Sequence, residues 1–149
     1  MIKVVKISIE NIELGAKIYI EAYAKEPWNE IYKFEVIHNY ISRFILSDRN
    51  FGWILYDDHV AIGVMLGIII PTPSNDYFRI EDLCISPNRQ GLGYGTQFIK
   101  LISDKLVNYN VDSILLNTVK DFPSYNFYLK NNFTEITTSK MLYFDLVSS

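Results

Sequence analysis

The chain has 149 residues, 49% of them apolar and 21% charged, with a net charge of −3 at neutral pH. That length supports a single domain over residues 1–149 with a real core. The charge balance, without any basic block, argues against nucleic acid as a partner, and no apolar run reaches the ~18 residues of a membrane span. One cysteine, Cys84, excludes an internal disulfide, and residues 1–7 alternate with a polar period and lack a small-residue cleavage site. A cytoplasmic location is the simplest inference. His38 and His59 are far apart and have no ligand spacing around them, so no metal is expected.

Taken in order, residues 2–8 read as a strand. Ile9, Ile12, Ala16, Tyr19, Ile20 and Tyr23 then recur on one helical face. Glu26, Pro27, Trp28 and Asn29 end that helix, and Phe34, Ile37, Ile41, Phe44 and Ile45 mark a second. Residues 51–56 and 60–70 read as strands of a hairpin joined around Asp57 and Asp58. Pro71 and Pro73 lack N–H donors, so 71–75 is a loop. A strand running to Ile85 is stopped by Pro87, and Phe98, Ile99, Leu101, Ile102 and Leu106 follow at helical spacing. Residues 113–118 read as a short buried strand, parallel to its neighbour by strand-helix-strand logic. A short helix is expected over 124–130. Residues 133–146 then split into two strands around Thr137, Thr138 and Ser139. The expected class is α/β with a mixed central sheet flanked by helices, in the order β-α-α-β-β-β-α-β-α-β-β.

Between the strand ending at Ile85 and the next helix stands Gln90-Gly91-Leu92-Gly93-Tyr94-Gly95-Thr96. The first N–H groups of a helix lack internal partners and sit at the positive end of its dipole, so donors from Gly91 to Thr96 can converge on phosphate oxygens. Glycines remove the side chains that would hold the phosphate away. A P-loop requires Gly-Lys-Ser/Thr, and GxGxxG requires a glycine where Thr96 or Phe98 stands. Neither pattern fits.

Gln90-x-x-Gly93-x-Gly95 resembles the Q/R-x-x-G-x-G/A signature of the GNAT superfamily of N-acetyltransferases, whose loop holds the pyrophosphate of acetyl-coenzyme A. The tract from Asp121 to Phe133 resembles a second motif of that family, N-x-x-A-x-x-x-Y-e-k-x-G-F. Tyr128, Lys130 and Phe133 match it, while Asp121 replaces Asn, Ser124 replaces Ala and Asn132 replaces Gly. Asn is, after Gly, the residue that best tolerates a left-handed helix end. An ionised Asp121 cannot donate as an amide does, which puts coenzyme contact by that side chain in question. With its order of elements, the resemblance extends over essentially the whole chain.

The resemblance implies a GNAT fold, acetyl-coenzyme A as cosubstrate without a metal, and transfer to a primary amine by direct attack in a ternary complex. It also implies a cofactor-binding set of Leu83, Cys84 and Ile85, through their backbone, with Gln90, Gly91, Leu92, Gly93, Tyr94, Gly95, Thr96, Asp121 and Ser124. Tyr128 is the candidate general acid, because a phenol with a pKa near ~10 can protonate a thiolate of similar basicity. Its other reading is an aromatic packed with Phe127 and Phe133. Glu81 is the first candidate base and substrate carboxylate, with Asp82 second; strand alternation places the two on opposite faces. Cys84 reads as a small buried hydrophobe rather than an acyl carrier. Trp28 is expected at the acceptor cleft, where an aromatic and a carboxylate suit a cation.

A small-molecule amine such as a polyamine, amino acid or aminoglycoside is the favoured acceptor. The alternatives are a protein or peptide amine, and a coenzyme-binding sensor that lost the chemistry. Met141, Leu142, Tyr143 and Phe144 form either the edge of a homodimer or part of the core.

Overall fold

A computed structural model describes residues 1–147. Among them the alternating apolar runs form one sheet of β1 (Ile2–Lys6), β2 (Asn50–Asp57), β3 (Val60–Ile70), β4 (Asp76–Ile85) and β5 (Val111–Leu116), in that spatial order. The helices are α1 (Ile12–Tyr23), α2 (Phe34–Phe44), α3 (Tyr94–Leu106) and α4 (Pro123–Lys130). Strands β1 to β4 pair antiparallel and β4 pairs parallel with β5. A parallel pair needs a crossover, and α3 supplies it. The mixed α/β sheet is the one expected from sequence. No helix among the described residues is long and apolar enough to cross a membrane.

The chain forms two compact units, one from Met1 to Asn117 and a second beginning at Thr118. In the first, α1 and α2 bury Ile12, Ala16, Tyr19, Ile37 and Ile41 against Ile54, Val64, Leu66 and Cys84 of the sheet. Ile9 was expected on that helical face but is 91% exposed. The turn before the helix explains this: the Ser8 N–H donates to Asn11 Oδ1 and Asn11 Nδ2 donates to the Lys6 carbonyl, so α1 begins after Ile9. The Cβ that Gly63 lacks would lie 3.3 Å from the Phe98 ring, so α3 packs closely on β3. Burying a side chain such as Phe98 or Ile102 contributes about 1.5–3 kcal/mol.

The register of β3 on β4 slips once. Leu66 faces Asp82 and Gly67 faces Ile80, so Glu81 has no partner across the ladder. Such a bulge sets two residues against one and resets which face each later side chain takes. Phe78 packs beside Trp53, with ring centroids 5.8 Å apart, whereas Cys84 joins the α1 side. Parallel pairing with β5 runs from Asp76–Val111 to Ile80–Leu116 and ends at the same point. Among the described residues, β3 is therefore the one strand that pairs with β4 from Glu81 to Ile85. Backbone groups in this stretch that point away from β3 are left without a strand partner.

In the second unit α4 ends in a Schellman arrangement. The Phe133 N–H donates to the Tyr128 carbonyl at 3.1 Å and the Asn132 N–H to the Leu129 carbonyl at 3.2 Å. Asn132 adopts φ 69°, the left-handed conformation that the sequence anticipated. The two strands expected over 133–146 are not formed among the described residues, and this corrects the sequence reading. Nor do Met141, Leu142, Tyr143 and Phe144 lie in the core, since all four are exposed. β-propensity without a ladder partner does not make a strand, and an isolated hairpin is at best marginally stable.

Candidate functional site

The glycine loop follows the unpaired part of β4. Pro87–Arg89 makes one 3₁₀ turn, and the Gln90 side chain donates from Nε2 to the Ile85 carbonyl at 3.0 Å, fastening the loop to the end of the strand. Gly91 and Gly93 adopt φ 75° and 86°, and a Cβ at either would meet nothing within 4 Å. Conformation is therefore the reason for glycine here, and the space in front of the loop is open. Gly93 is the N-cap of α3. Among the described residues, no backbone N–H from Gly91 to Thr96 has a protein acceptor. These free donors at a helix start suit a pyrophosphate.

Leu92 is exposed and Thr96 lies at the exposed start of α3. The Tyr94 hydroxyl donates to Asp57 Oδ2 at 2.6 Å. Arg89 donates to the same carboxylate at 3.3 Å. Asp57 thus ties the loop to the end of β2, a link that its sequence reading as a turn residue did not suggest. The donation to Asp57 raises the Tyr94 phenol above its ordinary pKa.

The two carboxylates on β4 are not separated by alternation, which corrects the expectation from sequence. Glu81 is the bulged residue, and its Oε1 accepts from Arg79 Nε at 2.5 Å. Its charge is felt at both Asp82 and Tyr40. Asp82 faces α1 and α2, where Oδ1 accepts from the hydroxyls of Tyr19 at 3.2 Å and Tyr23 at 3.3 Å, and Oδ2 accepts from Tyr40 at 2.5 Å. Burial holds the Asp82 pKa above the usual carboxylate range; the three phenols pull it down, and Glu81 adds to the rise. Burial and the Asp82 charge likewise push the phenols of Tyr19 and Tyr40 far up.

Around Asp82 the rings form a continuous set. Tyr19 and Tyr23 lie 4.5 Å apart between centroids, Tyr19 lies 6.1 Å from Tyr32, and Trp28 meets Tyr23 edge-on at 5.2 Å. Trp28 therefore stands next to the tyrosine set. The sequence reading used Tyr19 and Tyr23 only as apolar markers of a helix face and passed over Tyr40. Tyrosines at i and i+4 on a buried face were a usable signal, because buried hydroxyls need polar partners.

Cys84 is buried, and desolvation followed by the Asp82 charge pushes its thiol well above the ordinary range. That is the environment of an inert thiol. In the second unit, Tyr128 packs between Phe127 at 5.2 Å and Phe133 at 5.3 Å, the latter being the apolar contact of the Schellman arrangement. Ser124 Oγ lies 2.8 Å from Thr118 Oγ1, and Asp121 is exposed ahead of α4. Among the described residues no group of three or more His, Cys, Asp or Glu side chains could hold a metal ion.

The sequence profile of the acetyltransferase (GNAT) family matches residues 13–133, a span from α1 to the end of the Schellman turn. The chain belongs to the GNAT acetyltransferase family. Among solved structures, a possible acetyltransferase from Clostridium difficile 630 superposes with TM-score 0.85 at 12% identity, covering 99% of both chains. An aminoglycoside 6'-N-acetyltransferase from Acinetobacter haemolyticus gives TM-score 0.77 at 13% identity, also covering 99% of both. An aminoglycoside acetyltransferase from an uncultured soil sample, in complex with sisomicin, gives 0.74 at 12%, covering 97% of this chain and 96% of its own. At such identities the likeness shows a shared GNAT fold. No curated protein sequence matches the chain.

Proposed function

We propose that this GNAT protein acts as one domain, transferring an acetyl group from acetyl-coenzyme A to the primary amine of a small molecule. The observation that carries the reading is the parting of β4 from β5 beyond Ile80 and Leu116, directly before a loop whose N–H donors are free. The loop from Gln90 to Thr96 would take the pyrophosphate, as its open glycine positions and free donors allow. The backbone of Leu83, Cys84 and Ile85 would pair with the amides of the extended pantetheine arm much as a strand pairs with a sheet edge. Ser124 and Asp121 complete the binding set. Bound acetyl-coenzyme A supplies an activated thioester.

The protein's own residues must then remove a proton from the amine and deliver one to the leaving sulfur. Tyr128 serves as the acid, and the carboxylate pair Glu81 and Asp82 provides the base and attracts the cation. Trp28 and the tyrosines beside it offer ring faces to the same cation. The buried Cys84, with its raised thiol pKa, supports direct transfer rather than an acyl-cysteine.

The test is acetyl-coenzyme A-dependent thiol release with pooled polyamines, aminoglycosides, amino acids and lysine peptides, with Tyr128→Phe as control. Release with a small-molecule pool, reduced at least ~100-fold in the control, is expected. Release with peptides alone would transfer the reading to a protein acceptor. Acetyl-coenzyme A binding without release from any pool would favour a coenzyme sensor.

A further inference from the structure

The glycine loop has little of its own to hold it still. Gly91 and Leu92 make no hydrogen bond among the described residues, Leu92 is exposed, and a Cβ on Gly91 or Gly93 would touch nothing within 4 Å. Glycine also has more conformational freedom to lose than any other residue. Yet the free N–H donors can converge on one anion only while Gly91 and Gly93 keep their left-handed conformations. The loop's shape must therefore be fixed from outside it.

A single oxygen on β2 reaches both ends of the loop. Asp57 Oδ2 accepts from the Tyr94 hydroxyl at 2.6 Å and from Arg89 Nη1 at 3.3 Å, and Arg89 Nη1 lies 3.5 Å from the same hydroxyl. Tyr94 follows Gly93 and Arg89 precedes Gln90, so the two donors bracket the loop. The hairpin explains how the carboxylate comes to be there. Gly63, whose missing Cβ would lie 3.3 Å from Phe98 of α3, pairs with Leu55, so Leu55 and, two residues on, Asp57 lie on the α3 face of the sheet. The β2–β3 register then slips at Ile62, a bulge that increases the local twist, and the Ile62 carbonyl accepts from the Ser86 N–H at 2.8 Å. The hairpin end is thus fastened to the start of the loop as well. Arg89 and Asp57 are 32% and 27% exposed, so their attraction is less screened than that of a surface pair. All of these groups belong to the first compact unit.

We propose that Asp57 is a positioning residue for the coenzyme loop, holding Tyr94 and Arg89 on one oxygen so that the loop keeps its anion-binding shape before the pyrophosphate arrives. The inference rests on the reading of this loop as the pyrophosphate site and adds a residue that itself touches no part of the coenzyme. Ordering entropy is then lost on folding rather than on binding, which raises affinity without a new contact. Arg89 also offsets the negative charge that Asp57 would otherwise bring beside a phosphate. Once the tether is cut, apparent affinity falls with the fraction of molecules that still hold the shape.

Two measurements on the full chain test this. Amide relaxation by NMR, without ligand, should give Gly91 and Gly93 order parameters near ~0.85 in wild type and below ~0.6 in Asp57→Ala, with the α3 amides unchanged. By calorimetry, Asp57→Ala should bind coenzyme A at least ~10-fold more weakly. Asp57→Asn should return to within ~3-fold of wild type, because one amide oxygen can accept from both donors. That rescue separates positioning of the loop from a general effect of charge. Tyr94→Phe loses one hydroxyl and keeps the ring; it should bind at least ~3-fold more weakly and carries the test should Asp57→Ala fail to fold. Combined with Asp57→Ala it should add little, since both act through the same contact. Native affinity for coenzyme A, or unmoved loop order parameters, in Asp57→Ala or in Tyr94→Phe would overturn the inference alone. A wild type that does not bind coenzyme A would overturn the reading of the loop along with it.

Discussion

Gly67 faces Ile80 at the register slip, and its substitution by alanine tests how tightly the β4 bulge is held. A Cβ there would lie 2.0 Å from Phe78 Cζ, 2.5 Å from Cε2 and 2.7 Å from Cε1, where ordinary contact begins at 3.4 Å. The ring must retreat by more than an ångström. Phe78 is 0% exposed and packs on Trp53, so it has no open space to enter. Overpacking of this kind costs about 1–3 kcal/mol, and the depth of this clash places Gly67→Ala near the upper end. For a chain of this size about 3 kcal/mol lowers Tm by roughly 6–12 °C. Thermal and urea unfolding followed by tryptophan fluorescence would measure it, with Trp53 reporting from beside the clash. Phe78→Leu in the Gly67→Ala background should recover part of the loss, with a coupling energy of about 1–2 kcal/mol. A Gly67→Ala protein melting within about 2 °C of wild type would refute the reasoning, because it would mean that the Phe78 ring is free to move.

Gly93→Ala should cost about 1 kcal/mol in stability through its left-handed φ, yet weaken acetyl-coenzyme A binding at least ~10-fold by calorimetry; native affinity would remove the loop from the coenzyme site. Asn132→Gly should leave Tm within about 2 °C of wild type and Asn132→Val should lose about 1–2 kcal/mol, since only the β-branched residue resists φ 69°. Equal Tm values for the two would show that the Schellman turn adapts. Asp82 contributes a pH dependence of stability with a definite sign. Its folded pKa is raised above the unfolded value, so the folded state holds the proton more firmly, and its contribution is lost as pH rises from ~4 through the folded pKa. Asp82→Asn should abolish that slope and gain stability relative to wild type at pH 7; a parallel pair of Tm-versus-pH curves would contradict the burial argument.

Signals confined to neighbouring residues were legible in the chain. The glycines that turn into α3, the apolar spacing of α1, α2 and α3, and the tract from Tyr128 to Phe133 each act over a few residues, so their pattern carries their geometry. The Schellman end is the clearest case, because Asn132 and Phe133 fix it locally whatever surrounds them. The tertiary structure decided what depends on partners distant in sequence. Whether β4 alternates at Glu81 depends on its register against β3, and the slip there brought Glu81 and Asp82 together where alternation had parted them. The choice of Asp82 as the carboxylate that Tyr19, Tyr23 and Tyr40 surround follows from α1 and α2 packing on that face, across separations of 63, 59 and 42 residues. Likewise the apolar alternation of 133–146 has strand propensity but forms no ladder, because a strand is completed by hydrogen bonds to another segment. A helix closes its bonds within itself and can be read along the chain, whereas a strand or a buried carboxylate takes its state from what folding places beside it.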